Sequence, residues 1–459
     1  MRMMIGGLLL TVLCGSVRAS VLPYPVQKKT LDNGLDVVVI ETPEFKDVLS
    51  YNTMVLAGSG KEEELGATGL AHLFEHILFT HRMLGKDNGY NDAINKMGAD
   101  NNAWTWFDIT YFYPLTFSEN LIKLVELESS RFKGLNINEK IFQTETGAVL
   151  GEYRKVASHP STKMEERLYD LLYPNHPYGH TTMGYYQDVV DMPKHYEAAK
   201  RFYDTYYRPN NCVVIVAGDV KANDVFTEVE ARYADWKAKP VPPVKEKGPE
   251  PTGDRRESVA WDSDVAPQAW VAYRMPAFKL GTPDAAAAEM LEELLVSPAA
   301  PLYKKLRFEK QSAAGLGFEE GTNGFESADA RAIVVSAELY KEKLTASGTY
   351  YDDVVKDVED GMDGLKSFSK APGAVDLLKV VQSKYRYDFL AQLSSPRNIA
   401  SVFAQYYRFS RDPKALDTLL DSVAALKPED IDHLAQTYFT PENRVVLTLA
   451  YDPTAQKGK

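Results

Sequence analysis

One short run of the sequence carries two imidazoles and a carboxylate in an otherwise apolar segment. It reads GLAHLFEH, and its polar members are His72, Glu75 and His76. On an α-helix, side chains four residues apart lie on one face, so the two imidazoles can approach one point. Neutral imidazoles bind Zn²⁺ well, and Glu75 stands close enough to take a proton from an attacking water. The order His-x-x-Glu-His is the inverted form of the commoner zinc-peptidase motif.

The alternative is a chance meeting of these side chains on a solvated helix face. The surrounding residues argue against it, because a helix that is apolar nearly all round is buried. Buried imidazoles and carboxylates need partners, and a metal ion supplies one. A catalytic zinc takes three protein ligands, so a third is expected elsewhere. The apolar neighbours are Leu70, Leu73, Phe74, Ile77, Leu78 and Phe79.

A second predicted helix, from Asn138 to Ala157, offers carboxylates for the third ligand. Asn138 is a suitable N-cap residue. Glu145 and Glu152 are seven residues apart (152 minus 145), or two turns, so they share a face. One can bind the metal while the other supports a ligand histidine, but the spacing does not choose between them, and solvated surface glutamates are the alternative. Small residues between them would let another helix approach closely: Gly147, Ala148 and Gly151.

These two helices belong to the first of two similar halves. Pro209 and Pro441 are 232 residues apart (441 minus 209), and each follows an aromatic pair and precedes a β-branched run. Strands and helices mix within each half, so the sequence predicts two tandem α+β domains with antiparallel-rich sheets flanked by helices. The second half has only leucines where the first has its histidines, such as Leu291 and Leu294. Metal chemistry is therefore expected only in the first half.

Composition at the N-terminus and in the middle of the chain places the boundaries. Residues 1–19 have a basic start, a short apolar run and small residues before Ser20, which predicts a cleaved secretory signal peptide. An uncleaved anchor is the alternative, although the run is short for a membrane span. We expect a zinc-bearing domain over 20–238, a proline-rich linker over 239–258, and a homologous domain without metal over 259–459.

The overall composition is that of a globular protein with an acidic surface. The 459 residues are 44% hydrophobic and 25% charged, with a formal net charge of -12. Nucleic-acid binding needs a basic surface, so nucleic acid is not an expected partner. After signal cleavage no segment is apolar enough to span a membrane. We expect an exported protein, periplasmic if the host is a Gram-negative bacterium.

Several motifs together resemble the pitrilysin/insulysin family of zinc peptidases, and within it the branch of the mitochondrial processing peptidases. They are HLFEH with its downstream glutamates, NNAWT (101–105), HPYGH (176–180) and YYRPNN (206–211). The resemblance implies a half of a clamshell in which His72, His76 and Glu152 bind one Zn²⁺ per chain. Glu75 would be the general base, with Glu145 supporting a ligand histidine.

The same resemblance implies a place for the substrate. Asn102 and Ala103 would lie on an edge strand to which an extended peptide adds as another strand, a mode that suits unfolded substrates. The aromatic residues nearby fit either side-chain pockets or a packed core. They are Trp104, Trp106, Phe107, Tyr111 and Tyr113.

One part of the family pattern is incomplete in the second half. Family members use an arginine and, seven residues later, a tyrosine to contact substrate and stabilise the tetrahedral intermediate. Arg307 is at the expected place, but position 314 is an alanine, which cannot donate a hydrogen bond. We therefore expect a homologous partner subunit that supplies the pair, with a homodimer or a self-sufficient chain as the alternative.

The resulting prediction is an exported zinc endopeptidase that hydrolyses short or unfolded peptides in a closed chamber. A non-catalytic peptide-binding or scaffold subunit of a processing complex is the alternative, and a maturase for one precursor is another. The sequence does not specify the physiological substrate or the cleavage preference.

Overall fold

The structure is a computed structural model that describes residues 20–62, 65–80, 89–135, 137–243, 253–321, 327–344 and 349–452. The predicted signal peptide, residues 1–19, and the centre of the predicted linker, residues 244–252, lie outside the described residues. A strand begins at Arg255, within the last residues of the predicted linker. The boundaries of the domains remain predictions.

The strands form two sheets, one in each half of the chain. Those of the first sheet are β1 (Val26–Thr30), β2 (Asp36–Glu41), β3 (Val48–Val55), β4 (Ala103–Thr105), β5 (Thr110–Phe112), β6 (Leu115–Phe117) and β7 (Cys212–Gly218). Those of the second sheet are β8 (Arg255–Trp261), β9 (Gln268–Met275), β10 (Ala313–Gly321), β11 (Arg331–Leu339) and β12 (Arg444–Tyr451).

Helices pack around both sheets. In the first half they are α1 (Leu70–Phe79), α2 (Gly89–Lys96), α3 (Leu121–Lys133), α4 (Glu139–Val156), α5 (Pro160–Leu172), α6 (Tyr186–Asp191), α7 (Tyr196–Tyr206) and α8 (Ala222–Tyr233). In the second half they are α9 (Pro283–Ala288), α10 (Leu291–Leu295), α11 (Pro301–Lys304), α12 (Thr349–Gly364), α13 (Ala374–Gln392), α14 (Pro396–Ser410), α15 (Ala415–Ala425) and α16 (Pro428–Tyr438). Within the described ranges, none of these helices has the length and apolar character needed to cross a membrane.

The two sheets repeat one strand order, which confirms the predicted pair of similar α+β units. The first runs β1-β2-β7-β3-β5-β4, with β6 also on β3, and the second runs β8-β12-β9-β11-β10. Each has one parallel pair, β2 with β7 and β8 with β12. The strands after Pro209 and Pro441, β7 and β12, take corresponding inner places. At the outer edges, β4 and β10 also correspond.

The halves exchange helices and share a core. From the first half, α5 lies against β8 and β12 of the second sheet, whereas α14 from the second half lies against β3 and β7 of the first. Each sheet is thus covered on one face by the other half. Because apolar burial is the main stabilising term, this exchange holds the halves together. The shared core includes Trp106, Phe107, Tyr169, Trp270, Phe403 and Tyr407.

Buried polar contacts reinforce this junction. His176 Nε2 lies 2.9 Å from Asp329 Oδ2, and both side chains are almost fully buried. Asp108 accepts hydrogen bonds from the Tyr178 hydroxyl at 2.6 Å and from the backbone N–H of Ala328 at 2.7 Å. A buried carboxylate is stable only with such partners. The HPYGH motif therefore contributes to the contact between the halves.

Candidate functional site

A buried carboxylate holds the N-terminus of α1. Gly69 precedes the helix with φ of +86°, and a Cβ there would lie 2.6 Å from Met183 O, so glycine is required. Glu62 accepts hydrogen bonds from the backbone N–H of Gly69 at 2.7 Å and of Ala71 at 2.5 Å. Burial raises the pKa of Glu62 to about 8. These contacts fix the start of the helix that carries the histidine motif.

The two imidazoles of α1 face each other. The ring centroids of His72 and His76 are 4.8 Å apart and the rings are nearly perpendicular, at 83°. His72 is 8% exposed, and its Nδ1 has no hydrogen-bond partner among the described residues. Burial, together with the neighbouring His76, lowers the pKa of His72 to about 3. His72 is therefore a neutral imidazole, which is the form that binds a metal ion.

Of the two glutamates on α4, Glu152 is the one near both imidazoles. Its Oε2 lies 3.1 Å from His76 Nε2 and 3.8 Å from His72 Nε2. One ligand atom from each of these three residues falls within 4.8 Å of the others. In a tetrahedral zinc centre, neighbouring ligand atoms are about 3.3 Å apart. The three residues thus fit a zinc ion with only small side-chain adjustment.

Glu145 lies behind His76. Its Oε2 is 3.8 Å from His76 Nδ1, the ring nitrogen opposite the one that faces Glu152. Glu145 raises the pKa of His76, burial opposes this, and Glu152 and Glu75 add to the increase. A carboxylate on the far side of a ligand histidine orients the ring and makes it a stronger ligand. Glu152 thus faces both imidazoles and Glu145 faces the opposite side of one, a difference in position that the sequence spacing does not give.

Asn138 caps α4 as the sequence predicts, since its side chain accepts a hydrogen bond from the backbone N–H of Ile141 at 2.9 Å. Among the described residues, no helix makes the close approach that the small residues of α4 would allow. Gly147, Ala148 and Gly151 are exposed, and a Cβ on either glycine would have no neighbour within 4 Å among the described residues. Instead, α1 packs on α4 through the face that carries Glu145 and Glu152.

Glu75 extends from α1 toward β4. Its Oε2 accepts a hydrogen bond from Thr105 Oγ1 at 2.7 Å. Burial raises the pKa of Glu75, and the Thr105 hydrogen bond opposes that increase. A carboxyl group with a raised pKa suits proton transfer near neutral pH. The sequence gives no signal for this contact, which depends on β4 lying across α1.

Asn102 and Ala103 lie where β4 begins, at the edge of the first sheet. Asn102 O accepts a hydrogen bond from the backbone N–H of Tyr113 at 3.0 Å, and its side-chain Oδ1 accepts one from Ala103 N–H at 2.9 Å. The nearby aromatic residues mostly form core, because Trp106, Phe107 and Tyr111 are buried. Ala103 therefore begins the edge strand of the first sheet, with its own side chain buried at 7% exposure.

Arg307 is not brought to this group and bonds within the second half. Its Nη1 donates to Ala313 O at 2.8 Å and to Tyr340 Oη at 3.0 Å. Ala314 falls at a bulge in β10, where the register with β11 shifts. A tyrosine hydroxyl thus contacts Arg307 although position 314 has none. The sequence gives no signal for this contact, because Tyr340 follows the end of β11 and is 33 residues from Arg307.

Two family models match the chain. The one described as insulinase (peptidase family M16) matches residues 37–185, and the one described as the peptidase M16 inactive domain matches residues 195–369. The first therefore contains all of His72, Glu75, His76, Glu145 and Glu152, and the second contains Arg307.

Among curated proteins, the zinc protease PqqE of Helicobacter pylori is 27% identical over 95% of this chain and 95% of its own length. A probable mitochondrial-processing peptidase subunit beta of Arabidopsis thaliana is 22% identical over 58% of this chain and 50% of its own.

Among solved structures, a protease from Helicobacter pylori superposes with a TM-score of 0.82 at 25% identity, covering 93% of this chain and 99% of that one. The periplasmic protease PqqL from Escherichia coli superposes with a TM-score of 0.74 at 16% identity, covering 94% of this chain but only 48% of that one. The same fold therefore occurs both as a whole chain and as half of a longer chain.

Proposed function

Because the chain belongs to peptidase family M16, and relatives are named zinc proteases, we propose that it is a zinc-dependent endopeptidase. One observation carries the proposal: His72, His76 and Glu152 converge from α1 and α4, and Glu75 lies beside them on α1. The buried His72, whose lowered pKa keeps it neutral and whose Nε2 faces Glu152 Oε2 at 3.8 Å, supports a metal role over a structural one.

The proposed roles follow from these positions. When bound, Zn²⁺ supplies Lewis-acid activation of the scissile carbonyl and of the attacking water. His72, His76 and Glu152 would hold one ion per chain, and Glu145 orients His76 from the far side of its ring. Glu75 takes the proton of the attacking water and returns it to the leaving amine. The outward-facing backbone groups of β4, which begin at Ala103 next to Asn102, pair with the peptide backbone.

Strand addition of this kind favours a substrate that is short or unfolded. Backbone pairing tolerates many side chains but needs an extended peptide, and a folded protein offers few such segments. We propose that a second unit of the same fold closes over the site and excludes large folded substrates. The support is that PqqL contains this fold in about half of its length.

The closing unit is proposed to be a separate chain. The sequence expectation of a different, homologous subunit depended on the missing tyrosine at Ala314. Since Tyr340 contacts Arg307, a second copy of this chain carries its own arginine and tyrosine pair. A homodimer is therefore as well supported as the heterodimer. Export to the periplasm remains part of the proposal, supported by the predicted signal peptide and by the neighbour described as periplasmic.

The test is hydrolysis of quenched fluorescent peptides of random sequence by the zinc-loaded chain, alone and with proteins co-purified from its host. We expect cleavage that a chelator stops and zinc restores. Glu75→Gln should keep bound zinc and lose turnover, whereas Glu139→Gln, an exposed glutamate at the start of α4, should change neither.

Two outcomes would favour the alternatives. If zinc and peptide bind but no mixture cleaves, the chain is a non-catalytic peptide-binding or scaffold subunit. If mapping of the products shows one dominant cut among many peptides, the chain is a maturase for a particular precursor. Several cuts in unrelated sequences would support the general peptidase.

A further inference from the structure

Thr105 connects the proposed general base to the strand at the sheet edge. It is the last residue of β4, and its side chain is buried, with 7% exposure. Its Oγ1 donates to Glu75 Oε2 at 2.7 Å, a distance typical of a hydroxyl bonded to a carboxylate. Among the described residues, no other side-chain hydrogen bond to Glu75 is found. The one contact that fixes the carboxylate therefore comes from β4.

The backbone N–H and C=O of Thr105 lie in the plane of the sheet, at the outer edge of β4, beyond which no strand is found among the described residues. Tyr113 N–H bonds Asn102 O, and Trp106 N–H bonds Ile109 O, so these residues form hydrogen-bonded pairs across β4 and β5. In an antiparallel ladder such pairs alternate with pairs whose N–H and C=O groups point outward. Thr105, opposite Thr110, is in an outward-pointing pair. An added peptide strand would meet these groups directly.

We propose that Thr105 is the positioning residue for Glu75, so that the strand which receives the peptide also sets the place of the base. The inference rests on the proposed function and adds a residue to it. A glutamate has three rotatable side-chain bonds, and without the hydroxyl its carboxylate can leave the productive position. Misplacement of a reacting group by about 1 Å can lower a rate a hundredfold.

Three variants test the role of the hydroxyl. Thr105→Val keeps the shape and removes the donor, and Thr105→Ser keeps the donor and removes the methyl group. Thr110→Val is the matched control, because Thr110 is the buried cross-strand partner and its hydroxyl bonds Ala57 O at 2.9 Å instead of Glu75. Zinc content, thermal stability, kcat and KM are measured for all three and for the wild type.

We expect Thr105→Val to lower kcat about ten- to a hundredfold with KM within about twofold of wild type and zinc content unchanged. Thr105→Ser should recover most of kcat, and Thr110→Val should keep it even if it lowers stability. Equal kcat in Thr105→Val and wild type, or equal losses in Thr105→Val and Thr110→Val, would overturn the inference.

Crystal structures of the wild type and of Thr105→Val test whether Thr105 positions Glu75, and this test does not depend on peptide hydrolysis. The inference requires that Glu75 Oε2 contacts residue 105 in the wild type and that the carboxylate moves or takes several rotamers in the variant. An unmoved carboxylate in Thr105→Val contradicts it. If the wild type cleaves no peptide, the proposed function fails, while this comparison still decides whether Thr105 positions Glu75.

Discussion

Arg307 and Tyr340 contact each other at the start of the β10 and β11 hairpin, with Arg307 Nη1 3.0 Å from Tyr340 Oη. They are 33 residues apart in the sequence. The register that pairs Ala313 with Leu339 brings them together. A tyrosine hydroxyl from the residue after β11 thus contacts Arg307, although position 314, where the family pattern has its tyrosine, is an alanine.

Two inactive variants should restore activity when mixed, if a second copy closes the chamber. Glu75→Gln lacks the base, and Arg307→Ala lacks the proposed contact across the chamber. After random exchange of subunits, about a quarter of the sites combine an intact base with an intact arginine. We expect about a quarter of wild-type activity in a peptide assay. A mixture of Glu75→Gln with the double variant is the control, and no recovery would point to a different subunit.

The proposed metal site predicts different effects for the two glutamates of α4. Glu152→Ala removes a proposed ligand and should abolish binding of the one zinc per chain. Glu145→Gln leaves the three proposed ligands in place and should weaken zinc binding about ten- to a hundredfold. Zinc titration monitored by thermal stability measures both, because a ligand at a hundredfold excess over its Kd stabilises by about 2.7 kcal/mol. An equal loss of zinc affinity in Glu152→Ala and Glu145→Gln would contradict the proposed roles of ligand and supporting carboxylate.

Glu165 predicts a pH dependence of stability. Burial, and then the charges of Glu319 and Glu166, raise the pKa of Glu165 from 4.5 to about 7. The folded state therefore holds a proton that the unfolded state has lost, so this group lowers stability as the pH rises from about 4.5 to about 7. Relative to Glu165→Gln, the wild type should lose at most about 3 kcal/mol over that range.

Urea denaturation at pH 4, 5, 6, 7 and 8 measures the difference between these two proteins. The difference in free energy of unfolding should grow as the pH rises from about 4.5 to about 7 and should be constant above about pH 7. Glu139→Gln, which changes an exposed glutamate, should run parallel to the wild type at every pH. A difference that is constant from pH 4 to 8 would show that Glu165 does not titrate with a raised pKa.

The contact between the halves predicts that a buried polar contact and an exposed ion pair differ in cost. Asp329→Ala leaves the buried His176 Nε2 without this partner, and we expect a loss of about 1 to 3 kcal/mol in the free energy of unfolding. Asp170→Ala removes a largely exposed partner of Arg167 and should cost less than about 1 kcal/mol. Denaturant unfolding compares the two. If both variants lose a similar free energy of unfolding, the contact of Asp329 with His176 stabilises the protein no more than an exposed ion pair does.

The core shared by the two halves predicts how the protein unfolds in denaturant. Because α5 and α14 each cover the sheet of the other half, the halves should unfold in one transition. Fluorescence and circular dichroism should then report the same midpoint for the wild type. Two separate transitions would indicate that the exchanged helices contribute little to stability.

Local geometry explains what the sequence by itself determined. The spacing of His72 and His76 places both imidazoles on one face in any α-helix, and the spacing of Glu145 and Glu152 does the same on α4. The recurrence at Pro209 and Pro441 identified the repeated unit, because the aromatic pair, the proline and the β-branched run that mark it are close together in the sequence. These features depend on neighbours within a few positions along the chain.

Only the tertiary structure decided the rest. It placed Glu152 near both imidazoles and Glu145 behind one, gave Glu75 its donor in Thr105, and set Tyr340 against Arg307. It also exchanged α5 and α14 between the sheets and left the small residues of α4 uncovered. Each of these depends on strand register or helix packing between residues distant in sequence. Such contacts depend on the packing of the whole chain, which no local spacing specifies.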